Sequence, residues 1–498
     1  MAHLMPWTEL TNIYAESMSD FGRPGINPRI IIGSIIIKVR LDLSDEETLD
    51  QIRENMYMQY FLGYSEYKDE YAFDASLFVS IRERMGKELM DRMNTVIIRQ
   101  GMKLEEKKVR RKKSIDKQPP TASTPGTTNK ESIGNPADQT KGFFEDESQN
   151  TAEEEPLLWS GSLILDATVS DQYIKYPTDV ELLQDCRQKS EDIIDVLHQS
   201  SEEKRKPRTY REKARKQFLN FAKKKKHSRQ SIHKARGQQI RYLRRNFKTI
   251  QRLLDGLEGR EFPLSGQMLK DYWVIQEIYR QQFQMHESKE MRCDDRIVSI
   301  LQPYVRPIVR GKQGKNVEFG SKSLIGLVGE GYVQMENMQW DGYNEGTLVI
   351  ASVENYKRVF GYYPEVVIGD RIFITRNNKR ELDAMGIRLS GKQLGRKNEE
   401  QKREENKQMI KDQKKRVLVE GKFGQGKNAY GLNQIRMRTR RTSESMVMSI
   451  YFVMNLIRYA KEVLFWPFWQ IGTMLDHIFT CVHDRMDSQW ALARLTSY

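Results

Sequence analysis

Between Val419 and Arg440 the chain reads VEGKFGQGKNAYGLNQIRMRTR, one carboxylate and one lysine set among glycines and arginines. That composition suits the handling of phosphate. If the segment is helical, Arg416, Glu420, Gly424 and Lys427 share one face, because seven residues fall only about 20° short of two full turns. An acid able to bind a metal would then stand beside cations able to hold phosphate, with Arg436 a little further on. Each glycine costs a helix about 1 kcal/mol relative to alanine, so a helix here needs a reason for them. Close approach of a DNA backbone would be one. The same residues also satisfy the spacing of a P-loop, G-x-x-x-x-G-K, from Gly421 to Lys427, with Val417-Leu418-Val419 as its strand. Against this, Asn428 stands where a P-loop needs a hydroxyl for magnesium. The apolar run ending in an acid, Val366-Val367-Ile368-Gly369-Asp370, lies upstream rather than downstream.

Phosphoryl transfer by two metal ions needs several carboxylates converging on one point, since magnesium takes hard oxygen ligands and two ions clamp the attacking and leaving oxygens. Asp166 on a strand, Asp370 at a strand end and Glu420 on a later helix could supply them. A lone acid at a strand end more often closes a turn, so the combination carries the argument. His227 and His233 lie in a basic tract, and no histidine pair has zinc spacing. Cys186, Cys293 and Cys481 are far apart and lack the pairing of a zinc site or a disulfide framework, which points to a reducing compartment.

The elements that must position these acids are legible in outline. Residues 1–102 read as a helical domain. The run Ile30 to Val39 is followed by Ser44, which can cap a second helix with Glu47 completing a capping box; this pair suits a helix-turn-helix or an ordinary bundle equally well. Asp74 before Leu77 to Ile81 marks another helix start. Residues 103–157 pass from the basic run KKVRRKK through Pro, Thr, Ser, Asn and Gly to an acidic stretch, the composition of a disordered linker. Trp159 to Val169 reads as a strand carrying Asp166. Residues 181–295 read as a helical insertion that is the most basic part of the chain, with Lys223, Lys224, Arg244 and Arg245 among its cations. Its interleaved aromatics, Tyr210, Phe218, Phe221, Tyr242 and Phe247, fit the apolar stripe of amphipathic helices better than a base-stacking platform. Further strands are expected at Ile297 to Val309, Val317 to Val328, Gly346 to Val353 and Glu365 to Asp370, then an irregular connection from Asp383 to Gly395.

The chain has 498 residues, 30% of them charged, and a net charge of +14. Such an excess favours a polyanionic partner, nucleic acid first. No signal peptide is read in MAHLMPWTEL. The apolar tract Met446 to Leu475 is interrupted by Arg458, Lys461 and Glu462, which makes it a buried helix rather than a membrane span. The aromatic run Phe465-Trp466-Pro467-Phe468-Trp469 suits core packing or a protein contact.

Seven segments in order, LSDEET (43–48), QYFLGY (59–64), LILDATV (163–169), RPIVRGK (306–312), YYPEVVIGD (362–370), VEGKFGQGKNAYGL (419–432) and MNLIRY (454–459), together resemble a bacterial insertion-sequence transposase of the DDE type. The resemblance spans most of residues 15–457. It implies an α/β fold with an RNase H-like catalytic core (158–180 and 296–445) interrupted by the helical insertion, an all-α N-terminal DNA-binding domain, and a C-terminal helical tail (446–498). It implies that Asp166, Asp370 and Glu420 are catalytic metal ligands for two Mg2+ ions, with Mn2+ able to substitute. Around the last acid such families carry a Tyr, Arg, Glu, Lys signature. Arg416, Glu420 and Lys427 match it, whereas Gln413 occupies the tyrosine position. Arg416 and Lys427 are then expected to hold DNA phosphates. The implied partners are double-stranded DNA, both transposon ends and target, and a second copy of the chain in a synaptic complex, with no membrane involved. The implied setting is the bacterial cytoplasm, at the nucleoid. A non-catalytic DNA-binding protein and a P-loop NTPase are the alternative functions.

Overall fold

The computed structural model describes residues 2–18, 25–115, 159–257, 261–309, 317–391 and 399–465. Six helices come first: α1 (Trp7–Ala15), α2 (Pro28–Leu41), α3 (Asp45–Glu54), α4 (Met56–Leu62), α5 (Leu77–Arg84) and α6 (Lys87–Ile115). Their boundaries follow from local chemistry. Pro28 sits in the first turn of α2, whose cap Asn27 accepts from the Arg29 amide. Asp42 ends the helix in the left-handed region. Ser44 and Glu47 then form the expected capping box, with the Glu47 amide donating to Ser44 Oγ at 3.1 Å and the Ser44 amide to Glu47 Oε2 at 2.7 Å. Helix α6 corrects the linker boundary, since it continues through residues 103–115. The remainder of the linker lies outside the described residues.

A seven-stranded sheet is built around β1 (Ser162–Gln172). On one edge β1 pairs antiparallel with β3 (Val317–Val328), which pairs antiparallel with both β2 (Pro307–Val309) and β4 (Tyr332–Gln339). On the other edge two strands share β1: β5 (Val366–Ile368) runs parallel to its first residues, and β7 (Gln434–Ile435) runs parallel to its last. Beyond β5 lies the parallel strand β6 (Arg388–Ser390). Between β1 and β2 the chain folds four helices, α7 (Asp179–Gln199), α8 (Arg211–Ala222), α9 (Arg229–Asp255) and α10 (Gly266–Glu287), with apolar clusters of their own. Most of residues 181–295, expected to be helical, is thus helical. Helices α11 (Val349–Phe360) and α12 (Arg376–Ala384) cover one sheet face. Helix α13 (Glu399–Ala429) and a final helix, α14, residues 440–465, lie on the other.

Several expected elements differ. Gly346 to Val353 is a short 3-10 turn and the start of α11, not a strand. Asn344 caps the turn, and Val349, Val353 and Tyr356 recur at helical spacing on a buried face, which outweighs their β preference. In Ile297 to Val309 only the last three residues form a strand. Strand β4 was hidden by Gln334, Glu336 and Asn337, polar residues that break the apolar pattern, and β6 lies where an irregular connection was expected.

The N-terminal helices and the sheet share one core. Ile32, Ile36, Met93 and Ile97 join Ile164, Ile325, Val366 and the α14 residues Tyr451, Phe452 and Leu456 in a single buried cluster. The apolar tract after Met446, expected to be a buried helix at the start of a C-terminal helical tail, is helical and interior as far as residue 460, and the aromatic run beyond Phe465 lies outside the described residues. At the centre of this core three elements exchange buried hydrogen bonds. Asn455 Nδ2 donates to Asn94 Oδ1 (2.8 Å) and to the Val333 carbonyl (2.7 Å). Asn94 Nδ2 donates to that same carbonyl (3.0 Å), and the Val333 amide donates to Asn455 Oδ1 (2.8 Å).

Helix α13 packs across β1 and β5. Its position along the sheet is set by Asp412, only 2% exposed. Arg388 of β6 grips this carboxylate with two nitrogens at 2.6 and 3.1 Å, Ser390 Oγ donates at 2.5 Å, and Gln408 Nε2 at 3.2 Å. Burial alone would raise the Asp412 carboxyl, but the hydrogen bonds from Arg388 and Ser390 outweigh it and hold it below the usual carboxylate range.

Two predictions follow from these contacts. Asn455→Leu strands the Val333 amide and Asn94 in an apolar interior, so the urea unfolding midpoint should drop by the equivalent of about 3 kcal/mol; an unchanged midpoint would remove the amide cluster from the account. A depressed carboxyl contributes stability above its unfolded pKa, about 3.9, and loses it as pH falls through the folded value. The midpoints of wild type and Asp412→Asn should therefore differ most at pH 6 and converge only as pH falls from about 4 through the lower folded value, and a gap independent of pH would show that charge is not what holds α13.

Candidate active site

Because β5 and β7 take the same edge of β1 at its two ends, that edge forks between them. Asp166 lies in the fork. Successive side chains alternate between sheet faces: Leu163, Leu165 and Ala167 belong to the cluster under α11, whereas Ile164 belongs to the cluster under α13. Asp166 therefore faces α13. In the parallel pairing Ile164 stands opposite Ile368, and continuing that register two residues brings Asp166 level with Asp370, on strands about 4.8 Å apart. Val366 and Ile368 also face α13, so Asp370 comes off β5 on the same side. The crevice beyond the end of a parallel strand, where neighbouring chains diverge, is where open α/β sheets place ligands.

Helix α13 brings the third acid. Val419, fully buried, packs its helix onto this face, and Glu420 follows it on the exposed side. Arg416, one turn earlier, lies between the acids. Its Nη1 is 3.6 Å from Asp370 Oδ1 and its Nη2 is 3.6 Å from Glu420 Oε1. The structure thus joins two of the three expected acids through one guanidinium, with the third on the adjacent strand. Each carboxylate also has a local partner: Asp370 accepts from the Arg371 amide at 2.6 Å and caps a short 3-10 turn, and Asp166 accepts from the Ala167 amide at 2.8 Å. Among the described residues no group of three or more His, Cys, Asp or Glu side chains is gathered closely enough to hold a metal ion.

The P-loop alternative is overturned here. Residues 417–429 are helical throughout, so no strand precedes Gly421, and the backbone amides that would cradle a nucleotide belong to a helix interior. The glycines of this helix divide into two kinds. A Cβ on Gly426 would come within 2.9 Å of Leu432 Cδ2, so that glycine is closely packed against Leu432 and Met454 and a larger residue would have to shift them. At Gly421 and Gly424 a Cβ would meet nothing within 4 Å. The fold has no use for their smallness.

The expected phosphate-binding cations fall into separate groups. Lys427 is half-buried near the end of α13, one further turn along from Gly424. Arg436 is exposed just after β7 and lines two clefts: one of about 990 Å³ against α7 and α8, the other of about 590 Å³ against the α2–α3 turn. Lys223 and Lys224 are exposed at the end of α8. Arg244 donates to Tyr279 Oη at 3.0 Å and lies over Phe283, and Arg245 lies over Tyr210 and Tyr242. These last four sit on the insertion, on elements of their own. Tyr242 is buried within it, in keeping with an apolar stripe.

Asp412 and Arg388, which position α13, were missed from the sequence. The signal was present: Asp412 lies seven residues before Val419 and so shares its buried face.

Comparisons with known proteins agree with the geometry. A transposase DDE domain model matches residues 367–457, which contain Asp370, Arg416, Glu420 and Lys427, and a transposase domain model (DUF772) matches residues 1–84. A protein of Rhizobium meliloti, the uncharacterized protein ORF8 in the nfe locus, is 30% identical over 93 residues, 19% of this chain and 45% of that relative. The chain thus spans less than half the length of the curated relative it matches. No solved structure matches. Two transposase domain models are thus matched in chain order, one of them across the segment that joins Asp370 to Glu420, and together they support a bacterial insertion-sequence DDE transposase.

Proposed function

We propose that the protein binds the inverted-repeat ends of its own insertion sequence and there cleaves DNA and transfers the freed strand to a target. The observation that carries this reading is the meeting of Asp370 and Glu420 on Arg416 beside the strand fork that holds Asp166. In this reading the sheet is an RNase H-like core: antiparallel strands β4, β3 and β1, then β5 and β6 parallel to β1, with the first acid on the central strand and the second just past its parallel neighbour. The N-terminal helices serve DNA recognition, and the basic insertion holds a phosphate backbone through Lys223, Lys224, Arg244 and Arg245. The protein acts as a homodimer that unites two ends, in the bacterial cytoplasm at the nucleoid. No helix of the described residues is long and apolar enough to cross a membrane.

The donor set, Asp166, Asp370 and Glu420, is all carboxylate oxygen, which fits a hard divalent cation such as Mg2+, or Mn2+ in its place. Bound there, a pair of such ions would activate water and stabilise the leaving oxygen of a phosphodiester. The remaining work belongs to the chain. Arg416, Lys427 and Arg436 hold phosphates, and Gly421 and Gly424 let a backbone lie against α13. Hydrolysis at the transposon end frees a 3′ hydroxyl, which attacks a target phosphodiester in the same site.

One assay on end-containing DNA with and without magnesium tests this. Asp166→Ala, Asp370→Ala and Glu420→Ala should each abolish cleavage, with salt-sensitive binding within about threefold of wild type; cleavage that survives all three removes the assignment, and wild-type binding without cleavage in magnesium favours a non-catalytic DNA-binding protein. Gly424 gives an independent check. Gly424→Ala should stabilise the helix by about 0.5–1 kcal/mol, whereas Gly424→Leu should weaken DNA binding severalfold in a mobility-shift titration. Equal DNA affinity for the leucine variant would mean that nothing approaches this face.

A further inference from the structure

We propose that Arg416 is an internal counter-ion which a divalent cation and a DNA phosphate displace in concert, so that each tightens the binding of the other. This rests on the reading of Asp370 and Glu420 as cation ligands. One guanidinium spans both acids, with each terminal nitrogen 3.6 Å from a different carboxylate. A divalent cation between the two acids and a guanidinium that spans them compete for the same carboxylate oxygens, and the like charges repel at such distances. A divalent ion entering between Asp370 and Glu420 must therefore move Arg416 aside.

The displaced side chain has somewhere to go. Its third nitrogen, Nε, is buried and has no hydrogen-bond partner, so the fork that would match a phosphate edge, Nε with one terminal nitrogen, is only half engaged. One turn of helix beyond Glu420, Gly424 leaves the surface open, and Lys427 stands a turn further along the same face. A backbone phosphate lying in that opening would draw the guanidinium off the acids. By linkage the effect is reciprocal: if the phosphate frees the acids for a cation, the cation frees Arg416 for the phosphate to the same degree. Cation binding without DNA is thereby held weak, which keeps the site idle until an end is in place. The acids are more than half exposed, so each of the two pairs is modest, and the coupling should be about three- to tenfold.

The test uses the full chain and Mn2+, followed through the magnetic resonance signal of the free ion, with and without a short blunt DNA duplex at low salt. For the wild type, the duplex should tighten Mn2+ binding about three- to tenfold. Arg416→Gln should bind Mn2+ as tightly without DNA as the wild type does with it, and the coupling should vanish. Arg416→Lys, which keeps the charge but cannot span both acids, should fall between the two, and it serves the same purpose if the glutamine variant does not fold. A folded Arg416→Gln that binds Mn2+ no tighter than the wild type, or that keeps the coupling, overturns the proposal. Glu420→Gln separates the two layers of inference. If it leaves Mn2+ affinity unchanged, or if no saturable binding occurs even with DNA, the cation site itself is wrong.

Discussion

The geometry of the site depends on one buried charge. Helix α13 is 31 residues long and lies across the sheet, and apolar contact alone would not stop it sliding or turning, because hydrophobic attraction has no direction. A buried carboxylate does. Asp412 must meet Arg388 and Ser390, since a helix displaced by one residue would strand a charge in the interior at a cost of several kcal/mol. Once Asp412 is fixed, Arg416 and Glu420 follow at one and two turns, and their approach to Asp370 is set. The residue that orders the site is thus not one of those expected to do chemistry.

Strand β1 is the other half of that constraint. Its two faces pack against different helices, and its free edge is shared by β5 and β7, so a single residue, Asp166, can sit on a central strand and still open toward a crevice. Carboxylates brought to one place repel one another, and a protein must offset this with a cation of some kind. Here Arg416 supplies part of the offset from the same helix as Glu420. If DNA is the substrate, as proposed, a counter-ion that also recognised phosphate would link the readiness of the acids to its presence.

Much of this was legible from residue types and spacing. The face holding Arg416, Glu420, Gly424 and Lys427 was readable because helical periodicity is local, and the capping box at Ser44 because both of its partners lie within three residues. The division among the glycines of α13 was not, since Gly426 answers to Leu432 and Met454 while Gly421 and Gly424 answer to nothing inside the chain. Strand β4 escaped notice because a polar residue, Gln334, occupies a buried position, and Glu336 accepts from Asn355 Nδ2 on α11 instead of facing solvent alone. The strand expected at Gly346 to Val353 failed for the opposite reason: β-branched residues there fill a helix face once α11 has a sheet to lie on. The boundaries of the N-terminal and C-terminal parts were invisible for a third reason, that pairing of Asn94 with Asn455 across 361 positions leaves no local trace.

That pairing has a consequence for how a DNA end would be measured. With the first helices and the sheet sharing one interior, no swivel separates the α2–α3 turn from the acids beneath α13. Any duplex gripped at the turn would meet the carboxylates at a constant spacing along its axis and at a constant rotational phase. The molecule would then work as a calliper, and inserting or deleting a few base pairs between the recognised repeat and the cut would present the wrong side of the double helix to the jaws.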